Sequence, residues 1–187
     1  MDRPTSLWET IKFGLIALVI VIPIRLFIAQ PFIVSGASMD ATFTNGQYLI
    51  VDELSFRLSE PARGQVVIFK YPNDPTKYFI KRIIGLPNDT IEIKEGVVTI
   101  KNGEHPDGFV LDEPYVENKK RETATFTLQG HQYFVMGDNR RASSDSRVWG
   151  PVDRGFIIGT PFVRLYPLTT LDILPGIHHY VQTETEN

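Results

Sequence analysis

Three short segments of this chain carry residue types that do chemistry. The first is Ser35-Gly-Ala-Ser-Met-Asp-Ala-Thr, residues 35–42. A serine flanked by small residues at the end of an extended segment can project its hydroxyl into a cleft; taken alone, Ser38 reads first as a turn or cap residue. The second is Tyr78-Phe-Ile-Lys-Arg-Ile-Ile-Gly-Leu-Pro-Asn-Asp, residues 78–89. Strict alternation puts Phe79, Lys81 and Ile83 on one strand face and Ile80, Arg82 and Ile84 on the other. One of two adjacent cations must therefore point where hydrophobes point. A buried lysine tends to lose its proton, and a neutral amine is a general base. The rival reading is an edge-strand lysine that deters aggregation. The third is Met136-Gly-Asp-Asn-Arg-Arg-Ala-Ser-Ser-Asp-Ser-Arg, residues 136–147. It is either a turn with local side-chain bonds or a polar network that fixes a site.

The elements that must position these residues read as β-structure. Runs rich in Val, Ile, Tyr, Phe and Thr predict strands over 48–51, 66–71, 78–84, 90–93, 97–100, 123–128, 132–136 and 162–165. Turn signals at Pro72-Asn-Asp-Pro, Pro87-Asn-Asp, Glu95-Gly and Lys101-Asn-Gly separate them. Residues 90–100 read as a hairpin with alternation on both sides of a two-residue loop. No window of a dozen residues in the body has helical periodicity and caps. The expectation is a mainly β, antiparallel sheet or barrel-like domain. Residues 103–123 are polar and predict a surface loop or insertion, and 182–187 a frayed tail.

The N-terminus is a different material. Residues 13–29 (FGLIALVIVIPIRLFIA) hold one charge, Arg25, and their aliphatic residues cover every helix face. As a helix this stretch reaches about 25 Å, near the lower limit for a bilayer span. Trp8 precedes it at a plausible headgroup depth. A cleaved leader would need a basic first segment and a small-x-small site. Asp2 and Glu9 stand beside Arg3 and Lys12, and Ala29-Gln-Pro-Phe is a poor site. The expectation is a retained transmembrane helix over 13–29, a short cytoplasmic segment 1–12, and an extracytoplasmic domain over 30–181.

Composition narrows the chemistry. The 187 residues contain no cysteine, which excludes a disulfide framework, a thiol nucleophile and a Cys-ligated zinc site. A net charge of −3 argues against nucleic acid as a partner. The four histidines (His105, His131, His178, His179) lie outside the three segments, which argues against a Ser-His-Asp triad.

Taken together, the segments GASM-x-x-T, KRIIGLPND and GDNR-x-x-S-x-DSR-x-x-G, in this order behind an apolar span, resemble the bacterial type I signal peptidases. These are membrane-bound serine proteases that remove signal peptides. The resemblance implies Ser38 as nucleophile and Lys81 as general base, with Ser143 orienting the lysine. It implies supporting contacts from Asp138, Asp145 and Arg147, and an oxyanion hole at Ser38 N–H and Gly36. Pockets for alanine-sized side chains fall on Phe32, Val34, Met39, Phe43, Phe79 and Ile80. No cofactor or metal is implied. The implied partners are pre-proteins, membrane lipid and a nearby translocon, with the site outside the cytoplasm at the bacterial inner membrane. An organellar inner-membrane peptidase with the same dyad and a non-catalytic membrane-anchored β-domain are the alternatives.

Three departures from the family pattern stand out: Ala41 replaces a proline, Gln65 an acid, and Arg141-Ala142 an acid–Asn pair. The loss of proline leaves the turn after Ser38 less pre-set. The chemistry asks one thing of the fold. A lysine serves as base near pH 7 only if burial lowers its pKa from about 10.4 towards about 8, at a cost of roughly 3 kcal/mol to the charged form.

Overall fold

The structure, a computed structural model, describes residues 7–23, 29–178 and 180. In chain order its elements are α1 (Leu7–Pro23), β1 (Ala29–Ile33), β2 (Tyr48–Asp52), α2 (Leu54–Leu58), β3 (Val66–Tyr71) and β4 (Asp74–Gly85). There follow β5 (Thr90–Lys94), β6 (Val97–Lys101), β7 (Phe109–Val110), β8 (Ala124–Thr127), β9 (Gln132–Met136), α3 (Ser146–Trp149), β10 (Val152–Asp153), β11 (Ile157–Tyr166) and β12 (Asp172–Ile173). All pairings are antiparallel. The mainly β expectation holds, and each strand read from the sequence is present, with β4 and β11 longer than expected.

One sheet runs β1-β2-β11-β3-β4-β9-β10, with β12 added beside β11; a second runs β7-β6-β5-β8. The smaller sheet follows from alternation. Ile91, Ile93, Val98 and Ile100 are buried on one face, whereas Thr90, Glu92 and Thr99 stay partly wet on the other. Each buried aliphatic side chain contributes about 1.5–3 kcal/mol. Together with Ile84, Phe134 and Met136 of the larger sheet they form one core cluster. A second cluster gathers Val34, Met39, Phe43, Leu49, Val51 and Ile80, and a third Phe56, Val67, Phe69, Ile83 and Val135.

β4 is the strand that matters most for chemistry. It pairs with β3 along Tyr78–Arg82 but with β9 only from Arg82 onward. One backbone edge of residues 78–81 is therefore unpaired among the described residues. β1 pairs only with β2, so its outer edge is also open. Residues 34–47 lead from β1 to β2 through a turn that carries Ser38.

Two expectations need correction. The described part of the N-terminal helix is Leu7–Pro23 and Ala29 belongs to β1, so the expected helix over 13–29 does not extend to residue 29. No helix among the described residues is long and apolar enough to cross a membrane. The physical reason at residue 29 is local: Pro31 favours extended backbone before it, as in β1. Arg25, the segment 1–6 and the tail 182–187 lie outside the described residues. The second correction concerns residues 103–123. They are not merely a surface loop: Leu111 and Val116 are buried, and the Glu113 side chain is 4% exposed in an ion pair with Arg140. Polar composition concealed this because the buried polar groups are satisfied by one another.

Candidate active site

The site is assembled where the turn after β1 meets the open edge of β4. Lys81 is buried, 4% exposed, although it carries an ammonium. Its Nζ donates to Ser38 Oγ at 2.7 Å and to the Ile80 carbonyl at 2.8 Å. Burial pulls its pKa down to about 8, while the carboxylates of Asp145 and Asp138 pull it partly back up. The Phe79 ring lies 5.4 Å from Nζ. Arg82, the next residue, is 1% exposed. Both faces of this strand are thus covered, so neither cation is a solvated edge residue.

Arg82 is held by matched partners. Its guanidinium gives two bonds to Asp138, at 2.9 and 2.6 Å, and one each to the carbonyls of Gly64 and Gly176 at 2.7 Å. The Tyr115 ring covers it at 3.9 Å. Such pairing offsets the desolvation of both charges.

The polar segment 137–145 grips the serine turn from below. The Asn139 N–H donates to the Ser38 carbonyl at 3.1 Å, and Asn139 Nδ2 to the Ala37 carbonyl at 3.1 Å. Thr42 Oγ1 donates to Asp138 at 2.6 Å. Gly137 has no room for a side chain: a Cβ there would lie 2.3 Å from the Ser38 carbonyl oxygen and 2.3 Å from Ser143 Oγ. Asp145 is wholly buried and caps α3. It accepts from the Gly137 N–H at 3.1 Å and from Arg147 at 2.7 and 2.8 Å. Burial alone would raise its pKa, but the bonds from Arg147 hold it below the usual carboxylate range. Arg147 also reaches Glu122 and the Arg140 carbonyl, and Arg140 pairs with Glu113.

Ser143 sits differently from the expectation. Its Oγ is buried and makes no hydrogen bond of ordinary geometry, to Lys81 or to any other described residue. It lies near enough to Asp145 to help keep that carboxyl ionised. Gly36 adopts a φ of +95° and its N–H donates to Asn45 Oδ1 at 3.0 Å. Ser38 N–H has no partner among the described residues.

Beside Ser38 and Lys81 lies a cleft of about 270 Å³. Phe32, Val34, Gly36 and Ser38 form one wall, and Tyr78, Phe79, Ile80 and Lys81 the other. Leu49 and Ile68 lie at its base, and Ala142 and Ser144 at its end. Met39 and Phe43, expected to line the pockets, are 1% and 0% exposed in the cluster beneath. Tyr78, Leu49, Ile68, Ala142 and Ser144 were not singled out from the sequence. Tyr78 and Ile68 could have been found from strand alternation, whereas Ala142 and Ser144 depend on loop geometry. Among the described residues no cluster of His, Asp and Glu could hold a metal ion.

Comparison with known proteins gives the family. The family profile described as "Signal peptidase, peptidase S26" matches residues 7–166. A "Probable signal peptidase I-2" of Synechocystis sp. is 36% identical over 179 residues, covering 91% of this chain and 79% of the relative. "Signal peptidase I" of Bacillus licheniformis is 34% identical over 182 residues, covering 91% and 94%. "Signal peptidase I S" of Bacillus subtilis is 34% identical over 184 residues, covering 91% and 95%. The chain belongs to the signal peptidase family, peptidase S26, the serine endopeptidases that remove signal peptides.

Proposed function

We propose that Ser38 is the nucleophile and Lys81 the general base of this peptidase. The observation that carries the reading is the 2.7 Å contact between Lys81 Nζ and Ser38 Oγ at a buried amine. With Nζ neutral, the same contact lets the hydroxyl donate to the nitrogen lone pair. Ser38 Oγ then attacks the scissile carbonyl carbon as its proton passes to Lys81. The C–N bond breaks, the proton goes to the leaving amine, and an acyl-enzyme remains. Lys81 next takes a proton from water, whose hydroxide cleaves the ester and restores Ser38. The developing oxyanion has the Ser38 N–H available. Gly36 N–H is already engaged by Asn45, so its contribution is the left-handed backbone that presents the turn. Asp138, Asp145 and Arg147 hold the turn and the lysine's surroundings. Ser143 fills the space beside Gly137.

The substrate enters as an extended strand between the open edges of β1 and β4. Phe32, Val34, Phe79 and Ile80 leave room for alanine-sized side chains and reject larger ones by clash, which suits an Ala-x-Ala site. Met39 and Phe43 support the cleft from beneath. The apolar N-terminal segment anchors the chain in the bacterial inner membrane, with the β-domain outside the cytoplasm beside the translocon. A pre-protein's cleavage site emerges there, just past its own apolar helix. The test is cleavage of a pre-protein bearing an Ala-x-Ala site. Ser38→Ala and Lys81→Ala are each expected to abolish turnover while leaving the thermal transition in place. Turnover retained in Lys81→Ala would overturn the dyad.

A further inference from the structure

The cleft does not end at its aromatic rim. Beyond Tyr78 lies a second cavity of about 320 Å³, and Tyr78 lines both. The ladder explains the continuity. On β3 and β4 the cross-strand pairs Ile68–Ile80 and Lys70–Tyr78 are successive pairs on one face. Ile68 and Ile80 line the cleft; Lys70 and Tyr78 line the second cavity. On β1, Phe32 and Gln30 share a face in the same way, with Phe32 in the cleft and Gln30 in the second cavity. The Phe32 and Tyr78 rings meet edge-on at 5.4 Å and form the threshold between the two.

The second cavity differs in chemistry. The cleft wall is Phe, Val and Ile, but the second cavity presents Arg57, Lys70 and Arg154 against one carboxylate, Glu53. Glu53 faces Arg57 at 3.4 Å, and Arg154 faces the exposed Glu60 at 3.3 Å. The Lys70 side chain has no ion-pair or hydrogen-bond partner among the described residues. The cavity therefore offers an unmatched positive charge, with the amide of Gln30 and the hydroxyl of Tyr78 beside it.

We propose that the cavity lined by Gln30, Lys70 and Tyr78 is a substrate subsite that takes an acidic side chain of the pre-protein, five residues upstream of the scissile bond. The count follows from the strand repeat. If the first and third residues upstream of the bond point into the cleft, the fifth is the next on that face. Lys81 to Tyr78 spans three residues, about 10 Å, and the first to the fifth upstream residue spans about 13 Å, which carries a strand lying along β4 just past Tyr78 to this cavity. The inference rests on the reading of the cleft as the peptide site. An anionic lipid headgroup shares the charge preference, but contiguity with the cleft along two strands favours the peptide.

The experiment uses the full chain in neutral detergent. Its substrates are peptides with an Ala-x-Ala site and Glu, Ala or Lys at the fifth upstream position. The wild type is expected to show kcat/KM about fivefold higher for Glu than for Lys, the scale of an exposed ion pair. In Lys70→Glu the order is expected to invert; because the ratio is read within one enzyme, any overall loss of rate cancels. An equal ratio in both proteins would overturn the subsite. So would an effect of Lys70→Glu that is the same for every peptide and arises only on adding phosphatidylglycerol vesicles, which would assign the cavity to lipid. Failure of the underlying reading looks different: the alanine peptide would not be cut, or Ser38→Ala would cut it.

Discussion

At the residue scale, the base proposed at Lys81 costs the fold stability. Its pKa lies near 8 in the fold and near 10.4 in an unfolded chain. Below pH 8 the fold must bury an ammonium, and this penalty, roughly 3 kcal/mol, is fully present. Between pH 8 and about 10.4 the unfolded chain binds more protons than the native one, so stability rises with pH across this window. Lys81→Met is accordingly expected to be more stable than the wild type at pH 7, with the gap closing by pH 10; urea denaturation at both values checks it. In the same pH range kcat/KM of the wild type is expected to climb tenfold per unit below pH 8 and level above it. Asp145→Asn removes a carboxylate that holds the lysine's pKa up, and is expected to move that limb to lower pH. A limb that stays fixed or moves upward would contradict the electrostatic assignment.

At the scale of elements, the segment 103–123 behaves as a strap over the polar loop. Glu113 pairs with Arg140 on the segment that grips Ser38, and Glu122 with Arg147, which follows that segment in α3 and holds Asp145. Glu113→Ala leaves a buried guanidinium unmatched and is expected to cost about 3–5 kcal/mol in urea denaturation. Glu60→Ala, whose carboxylate is 80% exposed beside Arg154, is expected to cost under about 1 kcal/mol. The turn at Ala41 is a second element-scale case. Its φ is +79°, a left-handed conformation that proline cannot adopt. The proline expected there from the resemblance would not fit this turn. Ala41→Gly is expected to raise stability by about 0.5–1 kcal/mol and Ala41→Pro to lower it, as read from the thermal midpoint. The strands, the hairpin 90–100 and the placement of Ser38, Lys81 and Asp138 within one constellation were legible, because alternation and motif spacing are local signals. The strap was not. Glu113 and Arg140 are 27 positions apart, and nothing in either neighbourhood announces a buried pair.

At the scale of the whole molecule, the division into an apolar N-terminal helix and a β-body is plain in composition. The start of β1 at Ala29 is not, because the pull of β1 into the sheet competes with hydropathy. Leu7, Trp8, Phe13 and Val19 of α1 are exposed, at 83, 70, 75 and 69%. The described β-body carries its own three core clusters. A chain beginning at Ala29 is therefore expected to keep its thermal transition within a few degrees while losing co-sedimentation with membranes.

The adjacent cations of β4 also couple folding fidelity to activity. Lys81 and Arg82 occupy opposite faces, one against Ser38 and one against Asp138. A slip of one residue in the pairing of β4 with β3 would bring one of them into the other's place. In one direction Ser38 would meet the Arg82 guanidinium, which does not surrender its proton at physiological pH; in the other the Asp138 carboxylate would meet the single ammonium of Lys81 instead of a matching pair of donors. A misregistered chain would be both unstable and inert. Two neighbouring residues of like charge, alike in sequence, thus tie the proposed chemistry to the register of the sheet.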